Sequence, residues 1–202
     1  MHKEKMKPLL LLLTAFIALK SHAFSIKAGD LILQSNSCYL CNLIEKEEAS
    51  PYSHMGVFVF DEGVLKVMEA WGTSVRLSTL GEFVGRRKKN SQSLVLRNKA
   101  LPNVKFNSHS LLELFRNSFE GKSYDAQFLW SNYDEKGEKL YCSEFAVKFL
   151  AHFYDEQVAP KPMHFEMNRE LWMKFFHGNP PDGLPGLSPG DFERSPLYRR
   201  VG

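Results

Sequence analysis

Residues 50–70 read SPYSHMGVFVFDEGVLKVMEA. The continuous apolar run from Val57 to Phe60 indicates a buried strand, and Asp61-Glu62-Gly63 has the composition of a hairpin turn. The segment from Val64 to Ala70 is then the returning strand. If the turn centres on residues 61 to 63, His54 lies opposite residues 69 to 71, and Glu69 is directly across from it or one diagonal step away. The stretch therefore predicts a hairpin whose open end brings a histidine and a carboxylate together.

The pair at the open end has the chemistry of a base and its orienting group. A histidine at the mouth of a buried strand is held by a rigid element, and Gly56 lets another backbone or a ligand approach closely. A neighbouring carboxylate can hold the imidazole tautomer and stabilise its charged form. The alternatives are that His54 is incidental and that Glu69 is an ordinary strand residue facing water.

A cysteine opens a strongly amphipathic segment of the chain. Cys142 lies in Leu140-Tyr141-Cys142-Ser143-Glu144, at the start of a predicted helix. The positive end of a helix dipole stabilises a thiolate, which is the form that attacks. The alternative is a buried structural cysteine. Glu144 is better explained by its favourable interaction with the dipole than by catalysis. The apolar face of this helix consists of Phe145, Ala146, Phe149, Leu150 and Phe153.

The remaining segments predict an α+β fold, with an antiparallel sheet packed by helices. We expect short strands at Leu31–Leu33 and Leu94–Leu96, and a polar, irregular segment between residues 35 and 53. A helix through Leu111 and Phe119 is expected to be capped by Ser108 or Ser110 and to end near Gly121. Further predictions are a helix over Arg169–Phe176, and a Pro- and Gly-rich loop over Pro180–Pro196 that ends in a short strand at Leu197-Tyr198.

These motifs, in this order, resemble one family. Ser53-His54-Met55-Gly56 opening a strand, Glu69-Ala70 in the next and Tyr141-Cys142-Ser143-Glu144 opening a helix are similar to the circularly permuted branch of the NlpC-type papain-like hydrolases, and within it to the YiiX/YebB-like group. The histidine precedes the cysteine, as the permuted branch requires. The resemblance begins at Gly29-Asp30, and also covers Gly121–Asp125 and the tail segment Leu187–Phe192.

The resemblance implies a permuted papain-like fold with the nucleophile at a helix N-terminus. It further implies a catalytic triad of Cys142, His54 and Glu69 that needs no metal or organic cofactor. A Cys38/Cys41 pair is not part of the family pattern.

The first 23 residues have the composition of a secretory signal. Three lysines precede an apolar stretch from Pro8 to Leu19, and Ser21-His22-Ala23 offers small residues at a cleavage point. This predicts a mature chain of one domain, residues 24–202, that begins at Phe24. The apolar stretch is about half as long as a membrane-spanning helix, although an uncleaved anchor is the alternative. No later segment is apolar enough to span a membrane, so we expect no stable span after cleavage.

The net charge of the predicted mature chain argues against nucleic acid as a partner. The chain has 26 Lys and Arg and 23 Asp and Glu, and the leader holds four and one of these, so 22 of each remain. A neutral mature chain is not typical of a nucleic-acid-binding protein. The run Arg86-Arg87-Lys88-Lys89 is the local exception, either a solvated loop or a contact for an anionic wall polymer or lipid head group.

Three cysteines remain after export, which leaves one thiol free in an oxidising compartment. Cys38 and Cys41 are close enough in sequence to pair, and Cys142 is then the free one. A zinc site has little support, because a second cysteine pair and a suitably spaced histidine pair are both absent from the sequence.

The function expected from these observations is an exported thiol hydrolase, periplasmic or extracellular, that cleaves an amide through a thioester. Export near the cell wall suggests a peptidoglycan stem peptide or another small amide as substrate. Tyr141, Tyr52 and Tyr124 are candidate pocket residues, although core packing explains Tyr141 equally well. The alternatives are a lipid-directed acyl transferase or esterase, and a non-catalytic binding module that retains the fold.

Overall fold

The computed structural model describes residues 25–103 and 107–201. The predicted leader and its cleavage after Ala23 lie outside the described residues. The strands are β1 (Leu31–Gln34), β2 (His54–Asp61), β3 (Val64–Trp71), β4 (Ser74–Thr79), β5 (Leu94–Asn98), β6 (Asn132–Asp134), β7 (Gly137–Lys139), β8 (Lys161–Pro162), β9 (Pro185–Gly186) and β10 (Tyr198–Arg200). The helices are α1 (Tyr39–Glu47), α2 (Leu80–Gly85), α3 (Ser108–Ser118), α4 (Cys142–Leu150), α5 (Arg169–Phe175) and α6 (Pro189–Arg194).

Six strands form one antiparallel sheet in the order β10-β5-β1-β2-β3-β4. In the central hairpin Val57 pairs with Met68, and the same register continued places Glu69 one diagonal step from His54. Glu62 and Gly63 form the turn with φ angles of 50° and 79°, the left-handed pair that a tight hairpin requires. The predicted α+β architecture is confirmed.

Gly56 allows the hairpin to close tightly at the end that carries His54. A Cβ atom built at Gly56 would lie 2.9 Å from the carbonyl oxygen of Met68 on β3. The Val67 side chain is closer still, with its Cγ1 atom nearest to that position, so the close approach that this glycine permits is that of the neighbouring strand β3.

The sheet is buried on both faces, which explains why β2 is a continuous apolar run. One face packs on α3 and α4, and its core includes Val57, Met68, Phe115, Phe145 and Phe149. The other face carries a smaller cluster of Ile32, Phe58, Val67 and Phe83, the last of which lies on α2. Because side chains alternate along a strand, His54 and Glu69 share the face covered by α2.

Several local predictions were wrong. The segment 35–53 is not irregular throughout, because α1 occupies Tyr39–Glu47. The cap of α3 is neither Ser108 nor Ser110 but Asn107, whose side chain accepts the backbone N–H of Ser110. The tail is not only a loop, since α6 lies within it, starting after the Ser188 cap.

A disulfide joins Cys38 to Cys41, and Cys142 carries a free thiol. Within residues 25–103 and 107–201, no helix has the length and apolar character needed to cross a bilayer.

Candidate active site

The hairpin places an imidazole and a carboxylate in direct contact. His54 Nε2 lies 2.5 Å from Glu69 Oε2, and both side chains are almost completely buried. The His54 ring also packs on two aromatic rings, with centroid separations of 4.9 Å to Trp71 and 5.3 Å to Phe83. These contacts fix the ring in place and leave Nδ1 as the nitrogen available to a third group.

That third group is the thiol of Cys142, which hydrogen-bonds the His54 side chain. Cys142 is the first residue of α4, and its side chain is 7% exposed. No side chain among the described residues caps this helix at Tyr141. The first N–H groups of a helix have no intrahelical partners, so the start of α4 can donate hydrogen bonds to a ligand beside Cys142.

The electrostatics favour a charged histidine. Burial lowers the pKa of His54, but its hydrogen bonds with Cys142 and Glu69 outweigh this and raise the pKa to about 9. Burial raises the pKa of Glu69, and the hydrogen bond with His54, together with Ser78 and Arg86, reverses this to a value below the ordinary one. Glu69 is therefore an anion beside an imidazolium.

Arg86 completes the anchoring of Glu69. Its Nη2 lies 2.5 Å and 2.6 Å from the two carboxylate oxygens, and its guanidinium lies 4.8 Å from the centre of the Trp71 ring. Ser78 Oγ donates to Glu69 Oε1 at 2.5 Å. The interpretation of Arg86–Lys89 as a solvated loop is therefore wrong for Arg86, which α2 directs inward as its C-terminal cap residue.

The tail of the chain holds the residues on either side of the thiol. Ser143 Oγ donates to the carbonyl oxygen of Leu187 at 2.7 Å, and the Leu187 N–H donates to the Tyr141 hydroxyl at 3.1 Å. Burial raises the pKa of Tyr141 well above its ordinary value, so this hydroxyl stays neutral. Tyr141 thus has a positioning contact as well as a cavity-facing surface.

Cys142 opens onto a cavity of about 60 Å³, which has room for a few water-sized groups. Two of the three predicted pocket residues, Tyr124 and Tyr141, line it; Tyr52 does not, and instead packs against the main core near Glu193. His164, which the sequence did not single out, lines it too. Most of the wall is apolar or aromatic, from Tyr124, Phe128, Tyr141, Met163, Phe165 and Trp172.

Two carboxylates on the cavity wall are already engaged with protein groups. Glu47 accepts the Met167 N–H and the Trp172 indole N–H, at 2.8 Å and 2.9 Å. Glu48 accepts the Ser188 hydroxyl at 2.8 Å. The cavity therefore presents a mainly apolar surface to a ligand.

The model of the permuted papain-like amidase family, also called the YaeF/YiiX or C92 family, matches residues 25–201. The chain belongs to this family. The resemblance inferred from the His, Glu and Cys motifs is thereby confirmed.

A solved structure supports the fold of this family member. The crystal structure of a protein described as metalloprotein YiiX from Escherichia coli O157:H7 superposes with a TM-score of 0.73 at 22% sequence identity. The match covers 87% of this chain and 96% of that one. Among curated proteins, no significant match was found.

The described residues of this family member do not fit a metal ion. Among the described residues, no group of three or more His, Cys, Asp or Glu side chains is arranged to hold one. In the candidate site, the hydrogen-bonding capacity of the His54 ring is used by Glu69 and by Cys142.

Glu144 lies two residues after the thiol and is completely buried. Its Oε1 accepts the Lys148 ammonium at 2.7 Å and the Ser131 N–H at 3.3 Å, whereas Oε2 has no hydrogen-bond partner among the described residues. Burial raises the pKa of Glu144 from 4.5 to about 7, against the lowering effect of Lys148. The sequence-based view of Glu144 as a residue favoured by the helix dipole misses this burial.

The raised pKa makes a prediction for folding stability. The folded chain holds the Glu144 proton more tightly, so this contribution is full below about pH 4.5 and is lost as the pH rises to about 7. One pKa unit corresponds to about 1.4 kcal/mol, so the free energy of unfolding of the parent, relative to Glu144→Gln, is expected to fall by about 3 kcal/mol over this window. Urea unfolding of both proteins from pH 4.5 to 8 measures it. A constant difference between the two would contradict the assignment.

Proposed function

We propose that this protein hydrolyses an amide bond through a Cys142–His54–Glu69 triad. The observation that carries the proposal is the continuous, buried set of contacts from the Glu69 carboxylate through the His54 ring to the Cys142 thiol, at a helix N-terminus and beside an apolar cavity. A non-catalytic binding module would not need a buried imidazolium held against a thiol.

The reaction begins from the state in which the proton of Cys142 already resides on His54, so that a thiolate lies beside the imidazolium. The thiolate attacks the carbonyl carbon of the substrate, and the resulting oxyanion accepts hydrogen bonds from backbone N–H groups at the start of α4. His54 then protonates the leaving nitrogen as the carbon–nitrogen bond breaks, which leaves a thioester on Cys142.

Water completes the cycle. His54, now neutral, removes a proton from a water molecule as it attacks the thioester carbonyl. Collapse of the second tetrahedral intermediate breaks the carbon–sulfur bond, releases the carboxylic acid and returns the proton to the Cys142–His54 pair. Glu69 stabilises the imidazolium at both stages, and Arg86 and Ser78 hold Glu69.

The cavity supports a substrate with an apolar group on the acyl side, because its mainly apolar wall adjoins Cys142. The composition of the leader supports an exported, periplasmic or extracellular enzyme, which favours a cell-wall stem peptide or another small amide. The second candidate, cleavage or transfer of a lipid acyl ester, is favoured by the same apolar wall.

Labelling with substrate-shaped probes separates these functions. Peptidyl and fatty-acyl acyloxymethyl ketones of matched reactivity would be incubated with the parent and with Cys142→Ala, and the adducts measured by mass. We expect Cys142-dependent labelling, stronger with the peptidyl probe. Stronger labelling by the fatty-acyl probe would favour the lipid-directed candidate, and no Cys142-dependent labelling by either would favour a binding module.

Glu69→Gln is expected to lower kcat by less than the roughly 100- to 10,000-fold that loss of a general base costs. Glutamine keeps the shape and can still hold the ring, but it lacks the charge that stabilises imidazolium. Steady-state kinetics beside His54→Ala gives the comparison. A Glu69→Gln defect as large as that of His54→Ala would mean that the carboxylate does more than orient and stabilise.

Arg86→Gln is expected to raise the pH at which activity declines on the alkaline side. The cation next to Glu69 also opposes the charge on His54, so its removal favours imidazolium. Arg86→Lys keeps the charge but not the planar guanidinium that lies over Trp71, and is expected to shift the alkaline limb less. The pH profile of kcat/KM for the three proteins tests this, since a loss of activity without a shifted limb would indicate a structural role alone.

A further inference from the structure

The Cys38–Cys41 disulfide has no part in the proposed hydrolysis, and its surroundings suggest chemistry of its own. The two cysteines are three residues apart, and Cys38 is the N-cap of α1. Cys38 is partly exposed, whereas Cys41 is only 3% exposed. An external thiol can therefore reach one sulfur of the pair and not the other.

Local contacts stabilise negative charge on the exposed sulfur. The Cys41 N–H donates to Cys38 Sγ at 3.0 Å, and the positive end of the α1 dipole lies at the same place. The first turn of α1, Tyr39-Leu40-Cys41-Asn42, contains no carboxylate. A thiolate released at Cys38 would thus be held by backbone donors.

A cationic segment runs alongside the disulfide. The Ser37 N–H donates to the Arg86 carbonyl at 3.0 Å, Asn36 pairs with Arg87, and Lys88 Nζ donates to Asn42 Oδ1 at 3.0 Å. The nearest carboxylate on α1 is Glu45, which is engaged by the Ser35 and Ser53 hydroxyls. Arg86 is paired with Glu69 and Lys88 Nζ lies 3.7 Å from Glu45, so the stabilisation of a Cys38 thiolate rests on the Cys41 N–H and the helix start.

We propose that Cys38 and Cys41 form a redox-active disulfide that exchanges two electrons with an external dithiol, and that Cys38 is the sulfur attacked. One thiolate of the dithiol attacks Cys38 Sγ, the Cys38–Cys41 bond breaks, and Cys41 leaves and takes up a proton. The second thiol of the dithiol loses its proton and attacks its own chain's sulfur in the mixed disulfide, which releases Cys38 as a thiolate. The dithiol becomes a disulfide, and the protein pair gains two electrons.

Tyr39 gives such a partner a surface to contact. Its side chain is 59% exposed and lies next to Cys38 in the first turn. An exposed aromatic beside an accessible sulfur suits a protein dithiol better than a small thiol, because it adds apolar contact area.

The test uses the full chain with Cys142→Ala, so that the only thiols are Cys38 and Cys41 and the result is independent of hydrolysis. Folded protein is treated with dithiothreitol, reoxidised with oxidised glutathione, and followed by mass tagging of free thiols and by circular dichroism. We expect complete, reversible reduction without loss of structure. A disulfide that is reduced only after unfolding in urea would overturn the proposal.

A second measurement identifies the attacked sulfur. The reduced protein is given a limiting amount of iodoacetamide at neutral pH, and the modified cysteine is located by peptide mass mapping. Cys38 is expected to be modified at least about tenfold faster than Cys41, because it is both exposed and held as a thiolate. Equal modification, or preference for Cys41, would contradict the assignment without bearing on Cys142.

Discussion

Cys142→Ala is expected to abolish turnover of any substrate that the parent hydrolyses. No other group in the site can form the thioester, because a thioester requires a thiol and Cys142 carries the free thiol of the described residues. The thiol is small and sits at the start of a well-packed helix, so alanine should leave the fold intact. Progress curves at high enzyme concentration, with circular dichroism and a thermal melt as the control for folding, provide the measurement.

Residual turnover by a folded Cys142→Ala protein would remove the thiol from the mechanism. Cys142→Ser is the matched variant, because a hydroxyl fits the same space but is not ionised by an imidazole to the extent that a thiol is. It is expected to be as inactive as the alanine variant, or nearly so.

His54→Ala is expected to lower kcat by roughly 100- to 10,000-fold, the range typical of a general base. The variant loses both the acceptor of the thiol proton and the donor to the leaving nitrogen. His109→Ala is the matched control, because it removes an exposed imidazole from α3, away from the site. Steady-state kinetics of the three proteins gives the comparison, and equal losses in both variants would contradict a specific role for His54.

His54→Ala also leaves Glu69 buried beside Arg86 without its imidazole partner. A buried carboxylate whose two oxygens keep their contact with Arg86 Nη2 remains compensated in charge, so we expect the variant to fold. His54→Gln, which keeps a side-chain amide near Glu69, offers a second form of the test if the alanine variant is unstable.

The central part of the fold could be predicted from the sequence because its signals are local. The apolar run of β2, the turn at Glu62-Gly63 and the return of β3 fix the hairpin register, and that register brings Glu69 to His54. The helix that begins at Cys142 has an apolar face of phenylalanines that is visible in the spacing alone. For the same reason the antiparallel sheet packed by helices was predicted correctly.

The short helices were missed because they have too few residues for a periodic pattern. The helix α2 has only six residues, two of them glycine, and is signalled instead by its capping box, in which Thr79 accepts the Glu82 N–H. The tail helix α6 is likewise signalled by a serine cap followed by proline, at Ser188-Pro189. The capping motifs therefore indicate α2 and α6, whereas the periodicity of apolar residues does not.

Arg86 could not be predicted as part of the site because its partner lies 17 residues away. A run of four basic residues is usually solvated, and only the turn of α2 directs the first of them onto Glu69. The burial of Glu144 and the lining role of His164 depend in the same way on tertiary packing. The absence of Tyr52 from the cavity also depends on tertiary packing. Ser53 lines the cavity, whereas the neighbouring Tyr52 packs against the main core.

The pairing of Cys142 with His54 is the central claim, and the pH dependence of Cys142 alkylation tests it most directly. Rates of reaction with iodoacetamide would be measured from pH 5 to 10 in the parent and in His54→Ala, both carrying Cys38→Ser and Cys41→Ser so that only one thiol reacts. A free thiol reacts mainly above about pH 8.5, whereas an imidazolium that persists to about pH 9 supports a thiolate at lower pH. We predict that the parent reacts rapidly in the acidic range and that His54→Ala reacts there much more slowly. Coincident profiles, with reaction in both proteins only above about pH 8.5, would show that the two residues are not paired and would contradict the mechanism.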